Sequence, residues 1–128
     1  MYADDQEHEI QDNDIIIMAS DGVFDNLYDE DLENCVRPNM NGFNFENLQD
    51  ASTCISDLSG KLGRSRDYFS PFAKHAREHK VNYPNQGKLD DITVISAQIH
   101  TKGTTDFHKQ EVSTNGNAQS TFEAKQDL

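Results

Sequence analysis

Two acidic turns carry the side chains best suited to chemistry. Ala19-Ser20-Asp21-Gly22-Val23-Phe24-Asp25-Asn26 follows an apolar run, Asp14 to Ala19. Gly87-Lys88-Leu89-Asp90-Asp91-Ile92-Thr93-Val94 leads into a second one, Ile92 to Ile99. If both runs are strands and pair antiparallel, the end of one lies beside the start of the other. Asp21 and Asp90 then share one edge of a sheet. Carboxylates that close repel unless a proton or a cation lies between them. An all-oxygen set favours Mg²⁺ or Mn²⁺ over Zn²⁺, which prefers His and Cys. The plainer reading of an Asp-Gly after a strand is a turn, and spacing alone leaves both readings open.

The other reactive residue types give weaker patterns. His8, His75, His79, His100 and His108 show no spacing that builds a zinc site and read as surface residues. Cys35 and Cys54 read as small core residues rather than nucleophiles. Two cysteines make no disulfide framework, and a reducing compartment is the simple inference. Arg64, Ser65 and Arg66 have the chemistry to bind a phosphate but read first as loop surface. Asp29, Glu30, Asp31 and Glu33 read as a solvated helix start, where acids suit the positive end of the helix dipole.

The elements that must hold these turns follow from periodicity. Ile15 to Ala19 is too short for a helix and rich in β-branched residues, so it reads as a strand buried on both faces. A helix begins near Asp29, with Leu32, Cys35 and Val36 at helical spacing, and Pro38 to Gly42 breaks it. A second helix is expected from Phe45 to Leu62, its stripe formed by Phe45, Leu48, Ile55, Leu58 and Leu62 with Ala51 between. Gly60 and Gly63 mark its frayed end. A third starts at Ser70-Pro71, an N-cap followed by a proline tolerated at the first helical position, and ends near His79. Val81 to Lys88 is a loop, and Ile92 to Ile99 the second strand. The order is strand, three helices, strand, an α+β pattern in residues 1–102. Residues 103–128 are polar enough to read as a disordered tail. Two strands do not make a stable sheet, so the sequence reads as the end of a larger domain.

Composition limits the function. The 128 residues are 34% hydrophobic, below the roughly 45–50% of ordinary globular domains, so a generous core is not expected. The formal charge is −12, and residues 1–34 hold 12 acids without a Lys or Arg. The remaining 94 residues balance 11 acids with 11 bases. This argues against nucleic-acid binding and against docking on anionic lipid. No run approaches a membrane span, and the first ten residues resemble neither a secretory signal nor a transit peptide.

DIIIMASDGVFDNLYDEDL resembles the late motif of the metal-dependent, type 2C (PPM-type) serine/threonine protein phosphatases. GKLDDITVISAQI resembles their final motif, and the two come in the family's order. Tyr68-Phe69-Ser70-Pro71-Phe72-Ala73 and the Asp at 91 resemble the short branch that includes mitochondrial and plastid members. The resemblance spans residues 9–100. It implies the C-terminal half of a four-layer α/β/β/α fold around a β-sandwich. It implies hydrolysis of phosphoserine or phosphothreonine in a protein substrate by metal-activated water, with two Mg²⁺ or Mn²⁺ ions in the full domain. Asp21 and Asp90 then match metal ligands, and Asp25 matches a position that helps hold an additional, weaker ion. Asp91 competes with Asp90, because adjacent acids allow a one-residue register change. Gly22 matches the glycine that lets the chain turn away at the site.

The family's early acidic residue, its Asp-Gly-His-Gly-type motif and its phosphate-gripping Arg are absent from these residues. Roughly the N-terminal half of the catalytic domain is therefore expected upstream, along with any targeting segment, and the chain alone is expected to be inactive. The competing readings are a non-catalytic pseudo-phosphatase or binding fragment, and a truncated product of an active full-length protein. The organelle is not legible in these residues, and a mitochondrial or plastid location enters only by analogy with the branch.

Overall fold

The computed structural model describes residues 5–101 and the strands at 108–114 and 119–124. Strand β1 (Ile15–Ala19) runs into a one-turn helix α1 (Asp21–Phe24) and then α2 (Asp29–Val36). A 3₁₀ turn at Arg37–Asn39 leads to a small hairpin, β2 (Met40–Asn41) and β3 (Asn44–Phe45). Helices α3 (Leu48–Gly63) and α4 (Pro71–Glu78) follow, then strands β4 (Val94–Gln98), β5 (His108–Thr114) and β6 (Gln119–Ala124). The main sheet has the order β1-β4-β5-β6, every neighbour antiparallel.

The expected pairing of the two apolar runs is present. Ile15 opposes Gln98 and Ala19 opposes Val94, so the C-terminal end of β1 meets the start of β4. Ser20 locks that end. Its N–H donates to the Thr93 carbonyl at 3.0 Å, its hydroxyl donates to the Asp91 carbonyl at 2.8 Å, and the Thr93 N–H donates to its Oγ at 3.0 Å. A one-residue slip would break all three bonds and turn every side chain to the other face.

The core is small, as composition requires. Val23, Leu27, Cys35, Ile55 and Val94 are buried together, with Ile17, Ala19, Leu32, Leu58, Leu62 and Ile92 packed around them. β1 is not buried on both faces. Ile15, Ile17 and Ala19 are half-buried, while Ile16 and Met18 stay exposed on the opposite face. Strand periodicity of two separates these sets, and among the described residues helices cover one face.

Helix α3 starts three residues later than its stripe suggested, because Phe45 belongs to the hairpin. Asn47 caps the helix, its side chain accepting from the Asp50 N–H at 3.0 Å. Its buried face consists of Ala51, Ser52, Ile55, Ser56, Ser59, Gly60 and Gly63. Leu48, Leu58 and Leu62 flank that face and are half-buried. Small residues let the helix lie close on β4, where the Ser52 hydroxyl bonds that of Ser96 at 2.7 Å, both side chains fully buried. Gly60 and Gly63 are packing positions inside the helix rather than signs of fraying. Ser70 caps α4 as its sequence implies, accepting from the Ala73 N–H at 3.1 Å with Pro71 next in line.

Two further differences have local causes. Residues 103–128, read as a disordered tail, include strands β5 and β6. Their β-branched and aromatic residues are spaced among Gln, Ser, Lys and Glu, so mean hydropathy hides the strand pattern. Cys35 and Cys54, read as separate thiols, form a disulfide with Cα atoms 5.5 Å apart. The packing of α2 on α3 brings together two positions 19 residues apart. Cys35 is a buried core residue, but Cys54 is exposed.

Candidate metal centre

Helix α1 begins directly after the Ser20 lock, so Asp21 projects from the end of the sheet. Asp25 lies one turn on. Asp90 comes from the loop before β4, which the β1–β4 pairing brings to the same end. One carboxylate oxygen from each of Asp21, Asp25 and Asp90 lies within 4.8 Å of the others. These are the three acids singled out in the sequence, drawn together from positions up to 69 residues apart. Asp91 is outside the cluster. Its carbonyl is taken by Ser20, and its N–H donates to Asp90 Oδ1 at 2.9 Å. Of the two adjacent acids, Asp90 is the one that lies in the cluster.

Gly22 works by close approach rather than by turning freedom. A Cβ at this position would overlap the Asp91 carbonyl oxygen and crowd the Asp90 side chain. Glycine is what allows the two acidic loops to touch.

Two residues that sequence reasoning passed over hold the site together. Asn26 is 1% exposed. Its Nδ2 donates to the Gly22 carbonyl at 2.9 Å and to the Lys88 carbonyl at 2.6 Å, and its Oδ1 accepts from the Lys88 N–H at 2.8 Å. One side chain therefore satisfies backbone groups of both loops. Lys88 places its ammonium 2.7 Å from Asp25 Oδ2 and 3.2 Å from Asp90 Oδ2. The only sequence signal for Asn26 was its place at the end of the first acidic turn. For Lys88 it was a lone cation two residues before an acid pair.

These contacts set the electrostatics. The bond from the Asp91 N–H, and then the Lys88 ammonium, hold the Asp90 carboxyl below its ordinary range. Hydrogen bonding to Asp25 and then to Asp90 raises the Lys88 ammonium above its ordinary value. Behind the loops, the Tyr68 hydroxyl donates to the Asn26 carbonyl at 2.8 Å, and burial pushes its phenol up to about 12.

The remaining candidates lie apart from the acid cluster. Arg64 and Arg66 are exposed and line a surface groove of about 510 Å³ that Lys88 also borders. Arg64 Nη1 donates to the Gly60 carbonyl at 2.9 Å. His75 and His79 stack on one another with ring centroids 4.1 Å apart. Asp29 and Glu30 are exposed in the first turn of α2, as expected, while Asp31 accepts from the Tyr28 N–H at 2.9 Å. Among the described residues no helix is long and apolar enough to cross a membrane.

The X-ray structure of the photosystem II phosphatase PBCP shares this fold, with a TM-score of 0.60 and 25% identity, over 72% of this chain and 38% of that one. Over this stretch the chain is similar, in fold and in sequence, to proteins described as PTC7 and type 2C protein phosphatases. It is 40% identical over 90 residues to the protein phosphatase PTC7 homolog fig of Drosophila virilis, covering 70% of this chain and 29% of that protein. It is 36% identical over 93 residues to the protein phosphatase PTC7 homolog of Homo sapiens, covering 73% and 30%. It is 30% identical over 101 residues to the probable protein phosphatase 2C 26 of Arabidopsis thaliana, covering 71% and 32%. The chain thus spans less than a third of the length of these curated relatives. No family model matches it.

Proposed function

We propose that these residues form part of the active site of a Mg²⁺- or Mn²⁺-dependent serine/threonine protein phosphatase. The observation that carries this reading is the convergence of Asp21, Asp25 and Asp90 from two loops onto one point. The donor set fits the ion: three hard carboxylate oxygens with no sulfur or imidazole among them. A divalent ion bound there supplies Lewis acidity for attack of water on a phosphoserine or phosphothreonine ester.

The chain's own residues do the positioning. Asp21 and Asp90 face each other across the ends of paired strands, and Asp25 extends the acidic surface along α1. The Asp91 N–H holds Asp90 Oδ1 and the Lys88 ammonium pairs with Asp90 Oδ2, and together they fix where this carboxylate sits. Asn26 and Gly22 fix the separation of the loops and therefore of the carboxylates.

The three carboxylates are part of a catalytic constellation, and the 128-residue chain by itself is proposed to be inactive. Calorimetric titration with Mn²⁺ tests the ligand assignment. The wild-type chain should bind Mn²⁺, and D21N and D90N should each weaken binding by at least about tenfold, as loss of a carboxylate that ligates the ion implies. Unchanged affinity in both variants would overturn the site. Mn²⁺-dependent hydrolysis of p-nitrophenyl phosphate by the purified chain would overturn the proposed inactivity.

A further inference from the structure

Among the described residues, Lys88 is the cation that ion-pairs with the acid cluster. Its Nζ lies 2.7 Å from Asp25 Oδ2 and 3.2 Å from Asp90 Oδ2, bridging carboxylates of the two loops. It is not a surface lysine that has swung in by chance. Both of its backbone polar groups are clamped by the buried Asn26 amide. Its ammonium lies 4.9 Å from the Phe72 ring centroid, on the electron-rich partner a cation prefers. Phe72 is held in turn, its N–H donating to the Asp25 carbonyl at 3.1 Å. Helix α4, helix α1 and the loop before β4 thus converge to fix one ammonium between two carboxylates.

We infer that Lys88 is a tethered cation that competes with a divalent ion for Asp25 and Asp90. The inference rests on the reading of Asp21, Asp25 and Asp90 as metal ligands and adds a control on it. The ammonium already occupies one oxygen of Asp25 and one of Asp90, and a second cation drawn to the same pair of carboxylates is repelled by it. An ion that binds at Asp25 therefore competes with Lys88. A site whose competent state is populated only a fraction of the time has its apparent affinity reduced by that fraction. An ammonium resident for nine-tenths of the time therefore weakens binding about tenfold. Among the described residues the ion pairs of Lys88 are with Asp25 and Asp90 and not with Asp21, so an ion held through Asp21 meets less competition than one held through Asp25. The cluster is graded by its own lysine, with a favoured side at Asp21 and a guarded side at Asp25.

The test is Mn²⁺ titration of the 128-residue chain as wild type, K88M, K88R and the double variant D25N/K88M. K88M should bind Mn²⁺ about tenfold more tightly than wild type, since the competing state is removed. K88R, which keeps a cation, should stay near wild type, and D25N/K88M should lose the gain. Equal or weaker binding by K88M, with D21N still impaired, would overturn the role of Lys88 and leave the metal site standing. Absence of Mn²⁺ binding in every variant would overturn the metal site and this inference with it. A second measurement needs no substitution and covers the case of a variant that fails to fold. Acetic anhydride labelling of Lys88, read by mass spectrometry against the exposed Lys61, Lys74 and Lys80, should be slow and should accelerate when Mn²⁺ is added. Labelling of Lys88 that Mn²⁺ leaves unchanged or slows would overturn the competition.

Discussion

The side-chain amide of Asn26 and the backbone of Lys88, 62 residues later, are joined by two hydrogen bonds of 2.6 and 2.8 Å. The same amide reaches the Gly22 carbonyl. One buried side chain thus bonds both acidic loops and, with the Ser20 bonds and the close approach at Gly22, sets their separation. An Asn is suited to this because it offers donor and acceptor in one plane, as a peptide group does.

Replacing Asn26 by Ala leaves three backbone groups without that partner in a buried setting. The expected cost is about 2–3 kcal/mol, the penalty for unsatisfied buried polar groups. Hydrogen–deuterium exchange gives a local readout. The Lys88 amide should be protected in the wild-type chain and exchange rapidly in N26A. Equal protection in both would show that the clamp is not what holds the loop.

Gly22→Ala is predicted to damage the site while leaving α1 intact as a helix. Alanine is the better helix former, so propensity alone predicts a gain. The added Cβ overlaps the Asp91 carbonyl, which Ser20 pins in place. Overpacking of this kind costs typically about 1–3 kcal/mol, and the two loops must move apart. G22A should melt at a lower temperature by circular dichroism and bind Mn²⁺ more weakly. A stability equal to or above wild type would mean that the loops yield without cost.

Acid should weaken the cluster late. Asp90 has its carboxyl held below the ordinary carboxylate range by the Asp91 N–H and the Lys88 ammonium, so its folded form binds protons less readily than its unfolded form. Its contribution is complete above the ordinary carboxylate range and is lost only as pH falls below it. Lys88 is shifted upward, so its contribution is complete below the ordinary lysine range and is lost only at higher pH. Between these limits the ion pairs should not respond to pH. A pH series of thermal melts should be flat from Asp90 and Lys88 across the neutral range, and D90N should remove the acid-side loss. A step at neutral pH that vanishes in K88M would contradict this assignment.

Much of this arrangement was legible before any coordinates. The apolar runs before Asp21 and after Asp90 identified the strands, and their antiparallel pairing was an assumption that the register bears out. The meeting of Asp21 with Asp90 then required only that geometry. The helices were found from their periodicity and from Ser70-Pro71. What escaped were contacts with no period. Asn26 is recognisable as a clamp only once the Lys88 backbone lies opposite it. The disulfide depends on how α2 packs on α3, and two cysteines carry no signal of their partner. The face of α3 misled because large apolar residues were weighted above Ala, Ser and Gly, which are what close packing on β4 requires.

The Cys35–Cys54 bond encloses the β2–β3 hairpin in a covalent ring. At the tip, Gly42 adopts a positive φ of 61° and Phe43 is 79% exposed. Exposed tips of this kind are where proteases cut. A chain cleaved between Gly42 and Phe43 remains one molecule, its halves joined through sulfur. One half then carries Asp21 and Asp25, and the other carries Asp90. In the oxidised state the two loops of the acid cluster are therefore joined by a second covalent route, independent of the peptide backbone at the hairpin.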